Sequence, residues 1–301
     1  MTSLRARLVN ATLRATFKRA DLHEAAPAAF RRKADRAFRL IRPRGARESV
    51  ETPVRGAWSR GGGAAAARSA GRAILYIHGG GFVVCSPTSH ARMTDLLARR
   101  AKTPLFSLDY RLAPEHPCPA GVEDAVAGFD YLLSLGLGPG DVVVAGDSAG
   151  GGLAAALAQA LTAAGRAPPA GLILFSPALD LTGDAPSWRE NVESDCFLTP
   201  EILRAAADHY AGGLAKDDPR VSPLFGPLEA LPPTRIYVSA DELLRDDALR
   251  LRSRAEAAGR TVSCEMRDGL VHAWPAFHPA FPEAARTIGD AAAFARARFN
   301  G

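Results

Sequence analysis

The chain has 301 residues, 47% of them apolar, which fits one large α/β domain or two small ones and allows a sizeable core. No apolar run approaches the roughly 18 residues a spanning helix needs, and arginines interrupt the first twenty residues where a secretory signal would be apolar, so neither a membrane span nor export is expected. The net charge of +5 is unevenly spread: residues 1–47 hold thirteen Lys and Arg against Asp21, Glu24 and Asp35, a balance of +10 that leaves −5 on the rest.

In the basic arm, Leu4, Leu8, Ala11 with Thr12, and Ala15 recur at helical spacing with arginines between them. Residues 1–45 are therefore predicted as N-terminal cap helices packed on the body. A nucleic-acid or anionic-membrane surface is the alternative reading of such a charge run. No Gly/aromatic RNA-binding pattern or zinc spacing accompanies it, so no nucleic-acid partner and no stable membrane insertion is expected. Glu48–Ser59 reads as two short strands, and the tract from Gly61 to Gly71 as a surface hairpin loop.

Strands are then predicted at Ala73–Ile77, Leu105–Leu108, Val142–Ala145, Leu172–Phe175, Arg235–Val238 and Val262–Met266. Helices are predicted between and after them at Thr88–Ala101, Val122–Leu135, Ala149–Ala164, Asp247–Ala258 and Pro282–Phe299. Short apolar strands alternating with helices mean an α/β fold whose mostly parallel sheet is covered on both faces. The rhythm breaks from Pro177 to Pro233, where Thr199 as N-cap and Pro200 at the first helical position open a single helix to about Tyr210. Residues 178–232 are read as a cap or lid insertion, and 46–177 with 233–301 as the catalytic core.

The sequence Gly146-Asp147-Ser148-Ala149-Gly150-Gly151 lies between the Val142–Ala145 strand and the next helix. Strand, glycine-flanked serine and helix in that order describe a nucleophile elbow, a turn so tight that Gly146 and Gly150 must lack a Cβ. In a chain with 28 glycines the motif alone is weak. Acyl transfer by serine also requires a base, a group to orient it, and donors for the oxyanion. His272 follows the Val262–Met266 strand and is the predicted base, with His278 read as structural. Asp241 is the first carboxylate past the Arg235–Val238 strand and is the predicted orienting acid; Asp246 and Asp247 are assigned to the N-terminus of the following helix. Upstream, the strand Ala73–Ile77 runs into His78-Gly79-Gly80-Gly81, a loop type that supplies oxyanion N–H groups. Gly80, Gly81 and Ala149 are the predicted donors, with His78, Gly79 and Asp147 as motif support. Arg111 and Glu115 are expected to pin the proline-rich connection by pairing with each other. The cysteines Cys85, Cys118, Cys196 and Cys264 form no C-x-x-C pair, which predicts reduced thiols in a cytoplasmic setting.

These motifs, together with Asp109-Tyr110-Arg111-Leu112-Ala113-Pro114-Glu115 and Asp241-Glu242-Leu243-Leu244, resemble the hormone-sensitive-lipase-like family of bacterial α/β-hydrolase carboxylesterases. The resemblance spans about residues 70 to 300. Many members read Asp-Pro-Leu where this chain has Asp241-Glu242-Leu243, and the Asp-Glu form is similar to esterases and lactone hydrolases of the group. The resemblance implies an α/β-hydrolase fold with an eight-stranded sheet, a helical cap, no metal or other cofactor, a homodimer, and hydrolysis of small short-acyl esters. A lactone, amide or formamide hydrolase would keep the same triad. A ligand-binding protein on this scaffold would be expected to lack a catalytic residue, and an interfacial lipase would prefer long-chain emulsions.

Overall fold

The computed structural model of the chain describes residues 2–16, 18, 31 and 47–299. Eight strands form one sheet: β1 (Ser49–Val50), β2 (Gly56–Trp58), β3 (Ala73–Ile77), β4 (Leu105–Leu108), β5 (Val142–Asp147), β6 (Gly171–Phe175), β7 (Thr234–Ser239) and β8 (Val262–Arg267). Their order is β1-β2-β4-β3-β5-β6-β7-β8, antiparallel from β1 through β4 and parallel from β4 to β8. The central strands are buried on both faces, as their unbroken apolar runs require. In β3, Leu75 and Ile77 join one apolar cluster while Ile74 and Tyr76 join the other, and β5 and β6 divide in the same way.

Nine helices occur among the described residues: α1 (Leu4–Thr16), α2 (Ala64–Ala70), α3 (Ala91–Ala101), α4 (Ala120–Ser134), α5 (Ala149–Ala163), α6 (Ser187–Glu190), α7 (Pro200–Ala211), α8 (Arg245–Ala257) and α9 (Pro282–Phe299). Leucines of α4, α5 and α8 fill one face of the sheet; Met93 and Leu97 of α3 with Ile288 and Ala291 of α9 fill the other. No described helix is long and apolar enough to cross a membrane. The sheet is the predicted one, with β5 running on through Gly146 and Asp147, so half of the serine motif is still strand.

Two local expectations are corrected. The tract predicted as a hairpin loop contains α2, because four successive alanines are the best helix formers and Gly71, at φ 61°, closes the helix with its N–H on Arg68 O. In α1 the apolar stripe does not pack: Leu4 and Leu8 are exposed, and the helix docks through Ala6 and Leu13. Polar anchors set that rotation. Ser3 donates its N–H and hydroxyl to Glu283, Asn10 donates to Gly269 O at 2.9 Å, and Arg14 donates to the carbonyls of Glu193 and Ser194. The rest of the predicted N-terminal cap, residues 1, 17, 19–30 and 32–45, lies outside the described residues.

The 178–232 segment holds α6 and α7. Thr199 Oγ1 accepts the Ile202 N–H at 3.3 Å, Pro200 sits in the first turn, and Gly212 ends α7 at φ 58°. The segment is tied to α8 beneath it. Asp247 accepts the N–H groups of Leu179 and Asp180 at 2.7 and 2.9 Å, and Asp246 accepts that of Ser187 at 2.8 Å. The two aspartates thus lie in the predicted helix turn and also anchor the insertion.

Candidate active site

β5 delivers its chain to the C-terminal edge of the sheet and α5 starts one residue later. Ser148 is that one residue, at φ 52° and ψ −121°, a conformation that residues other than glycine rarely adopt. Its flanking glycines are dictated by backbone contact. A Cβ on Gly146 would fall 2.4 Å from Gly150 O, and one on Gly150 would fall 2.1 Å from Ile77 O and 2.6 Å from His78 O. Ser148 donates its N–H to Phe175 O at 2.9 Å, and its carbonyl accepts from Gly151, Gly152 and Ala178. The strained turn is pinned on both sides, and the side chain remains half-buried.

Beside it lies the loop from His78 to Gly81. Gly80 has φ 115° and Gly81 φ 60°, and the Gly80 carbonyl is capped by the N–H groups of Val83 and Val84. No hydrogen bond among the described residues uses the Gly80 or Gly81 N–H. Ala149 is the first residue of α5, so the helix gives its N–H no partner either. His78 shapes this loop: Nδ1 lies 2.8 Å from Gly79 O, the ring stacks on Tyr110 at 4.5 Å, and Tyr110 donates its hydroxyl to His78 O. Burial first, then the neighbouring His90, lowers its pKa to about 3, so the ring is neutral. Asp147 braces the loop against the elbow. It accepts Gly79 N–H at 3.0 Å and the Tyr76 hydroxyl at 2.7 Å, and its Oδ2 lies 3.2 Å from His90 Nε2. A Cβ on Gly79 would strike that carboxylate at 2.3 Å.

His272 is buried in the loop beyond β8, but the acid opposite it is not the predicted one. Asp241 Oδ2 accepts the Gly269 N–H at 2.6 Å and holds the turn that leads to His272. The carboxylate facing the imidazole is Glu242, whose Oε1 lies 3.5 Å from His272 Nδ1. These two atoms are buried and have no other hydrogen-bond partner, and such contacts are often long before a substrate is bound. The reason is the path after β7. Asn191 donates to the carbonyls of Ala240 and Glu242, Ser194 donates to that of Asp241, and Asp195 accepts the Leu243 N–H. Together these contacts turn Glu242 inward. Ser176, at φ 48°, bridges the pair by donating to Glu242 Oε2 at 2.7 Å and accepting the Ala273 N–H at 3.0 Å. Burial lowers the His272 pKa, but the Glu242 charge, with Asp195 and Asp147 behind it, outweighs burial and holds it above the ordinary value.

A family model described as the alpha/beta hydrolase fold matches residues 74–276. An acetyl-hydrolase of Streptomyces hygroscopicus is 42% identical over 230 residues, covering 76% of this chain and 77% of that protein. An esterase of Acinetobacter venetianus is 39% identical over 285 residues, covering 94% and 93% of the two chains. A crystal structure of an esterase from the bacterial hormone-sensitive lipase family superposes with a TM-score of 0.90 at 33% identity, covering 99% of each chain. The chain belongs to the hormone-sensitive-lipase-like esterases of the α/β-hydrolase fold.

As a member of that family it is a carboxylic ester hydrolase. The motifs mark Ser148, His272 and the His78–Gly81 loop, and Asp147 ties that loop to the elbow; Glu242, Ser176, Asn191 and Asp195 were not marked as site residues. The only sequence signal for Glu242 was its position beside Asp241; the others come from segments that carry no motif. Arg111 and Glu115 do not pair with each other. Arg111 binds Glu123 and Asp124, and Glu115 binds Arg31 at 2.7 Å. Among the described residues no three His, Cys, Asp or Glu side chains converge as a metal-ligand set.

Proposed function

We propose that this esterase hydrolyses short-acyl esters through an acyl-enzyme formed on Ser148. His272 takes the serine proton and returns it to the leaving alcohol, and Glu242, in place of Asp241, fixes the imidazole tautomer and stabilises the imidazolium. The N–H groups of Gly80, Gly81 and Ala149 receive the oxyanion, where one lost donor typically costs about 10²–10³ in turnover. Water then repeats the cycle on the acyl-enzyme, with His272 again as base.

The observation that carries this reading is the left-handed backbone of Ser148, bonded to Phe175 O, together with the buried His272–Glu242 pair that the next residue, Ser176, bridges. Strain of this kind persists where surrounding structure over-determines it, as at active sites. The short-acyl preference rests on α7, which crosses the oxyanion loop so closely that a Cβ on Gly81 would come within 3.1 Å of Ala206 Cβ. Phe82 also stacks on Tyr210 there, with ring centroids 3.7 Å apart. Residues 1–45 and 178–232 form the cap on this reading. The free thiols fit work in the cytoplasm, and a homodimer would use the open edge at β8.

Ser148→Ala should abolish hydrolysis of p-nitrophenyl acetate with an unchanged circular dichroism spectrum, and a fluorophosphonate should label the parent protein only. Activity near that of the parent in the alanine variant overturns the mechanism. A panel of p-nitrophenyl esters of rising acyl length, with lactones and amides, tests the substrate class. Faster turnover of lactones than of acetate or butyrate esters would replace it with the lactonase reading.

A further inference from the structure

The face of α1 that the sequence marks as apolar points away from the protein. Leu4 is 82% and Leu8 67% exposed, and Ala11 and Ala15, next along the same stripe, are exposed as well. Single exposed leucines are ordinary; two stacked one turn apart on a helix face that no described residue covers are a surface with a direction. At 3.6 residues per turn the arginines fall on both flanks of this stripe, Arg5 on one side and Arg7 and Arg14 on the other, all in solvent. Ala6 and Leu13, on the opposite side, make the contact with the body.

The surroundings extend the same character. A groove of about 460 Å³ runs beside Leu4 and Arg5, walled by His278, Pro279, Phe281 and Pro282. Arg92, Arg99 and Arg100 of α3 are exposed and lie close enough to His278 to act on its charge. Of the acids nearby, Glu283 accepts the Ser3 N–H at 2.7 Å, and Asp268, whose backbone carbonyl accepts the Thr2 hydroxyl, is the exposed carboxylate that the arginines outnumber. Arg14 donates to the backbone carbonyls of Glu193 and Ser194, and among the described residues no carboxylate pairs with it.

We infer that α1 is a docking element for an anionic phospholipid surface. Leucines between flanking arginines match a bilayer interface, where the apolar stripe enters the headgroup boundary and the long cationic side chains reach out to lipid phosphates. A second copy of the chain fits less well, because the same face on a partner would oppose arginine to arginine, and the stripe is small beside the roughly 800 Å² per partner of a stable interface. Docking would bring the catalytic loop to the bilayer. Thr2 and Asn10 hold the Asp268 and Gly269 carbonyls, in the turn just ahead of His272. The inference stands independently of the serine mechanism.

Sedimentation of the full chain with vesicles tests it. Binding to vesicles of 30% phosphatidylglycerol in phosphatidylcholine should exceed binding to pure phosphatidylcholine at least tenfold and fall in 0.5 M salt. Leu4→Ser/Leu8→Ser and Arg5→Glu/Arg7→Glu should each cut that partition tenfold or more, while both variants hydrolyse a soluble p-nitrophenyl ester at the parent rate. Equal partition into the two vesicle types overturns the inference, as does parental binding by either variant. A vesicle-independent dimer that the Leu4→Ser/Leu8→Ser variant loses would assign the face to self-association and also overturn it.

Discussion

Asp241 and Glu242 are neighbours in sequence, and their carboxylates do different work. Asp241 Oδ2 takes the Gly269 N–H at 2.6 Å, and Glu242 Oε1 faces His272 Nδ1 at 3.5 Å. Glu242→Gln should therefore lower kcat by about 10³–10⁴ with little change in KM, the cost of losing the charge behind a catalytic imidazole. Asp241→Asn keeps an oxygen for Gly269 and should cost less than about tenfold, since the turn stays in register. Steady-state kinetics on the two variants decide which carboxylate serves His272; equal losses would contradict the assignment.

The pH profile should carry the mark of the same pair. Burial alone would make His272 a weak base, but Glu242 reverses the sign and raises its pKa. A base works when unprotonated, so kcat/KM should climb with pH along a limb centred above the ordinary imidazole value of about 6.5. In Glu242→Gln burial acts unopposed by that charge, and the limb of the remaining activity should move to lower pH. The apparent pKa belongs to the coupled pair, and its displacement between parent and variant is what the measurement reads.

Backbone contact at the elbow predicts intolerance of a single methyl group. Gly150→Ala would place a Cβ 2.1 Å from Ile77 O, an atom of the central sheet that cannot yield. The expected cost is about 3 kcal/mol or more, with loss of activity. Gly140→Ala is the matched control: nothing lies within 4 Å of its Cβ position, and its stability should change by less than about 0.5 kcal/mol. Chemical denaturation of both variants checks the contrast.

Asp247 links stability to pH. Burial raises its pKa to about 8 against the ordinary 3.8. The unfolded chain then releases this proton near pH 4, whereas the native state keeps it to about pH 8. Its contribution to stability is full below the unfolded value, falls as pH rises between the two, and is level above. Asp247→Asn still accepts the Leu179 and Asp180 N–H groups and should flatten that slope. Asp247→Ala leaves both donors buried without a partner and should cost about 2–4 kcal/mol. Denaturation midpoints across pH 4–9 measure both effects.

Legibility in the sequence followed the range of the forces involved. Gly146, Gly150 and Gly80 are imposed by close backbone approach, Gly79 by the Asp147 carboxylate and Gly81 by its φ of 60°, so residue identity itself reports geometry. The strands of the sheet were readable because burial on both faces demands continuous apolar runs. The choice between Asp241 and Glu242 was not readable. It is made by Asn191, Ser194 and Asp195, which reach the turn after β7 from some fifty residues upstream. The outward face of α1 was hidden for a related reason. Periodicity defines a stripe, whereas Glu283 and Gly269, near the other end of the chain, decide which way it turns.

The carboxylate of Asp147 has one neighbour in the His78–Gly81 loop and is itself the residue before Ser148. Nucleophile and oxyanion donors, on the proposed reading, are thereby fastened to a common bolt although 68 residues separate Gly79 from Asp147. Such a site has no half-built form. Warming should extinguish turnover in one cooperative step, because an elbow that has let go of its loop retains neither the serine's aim nor the oxyanion's cradle.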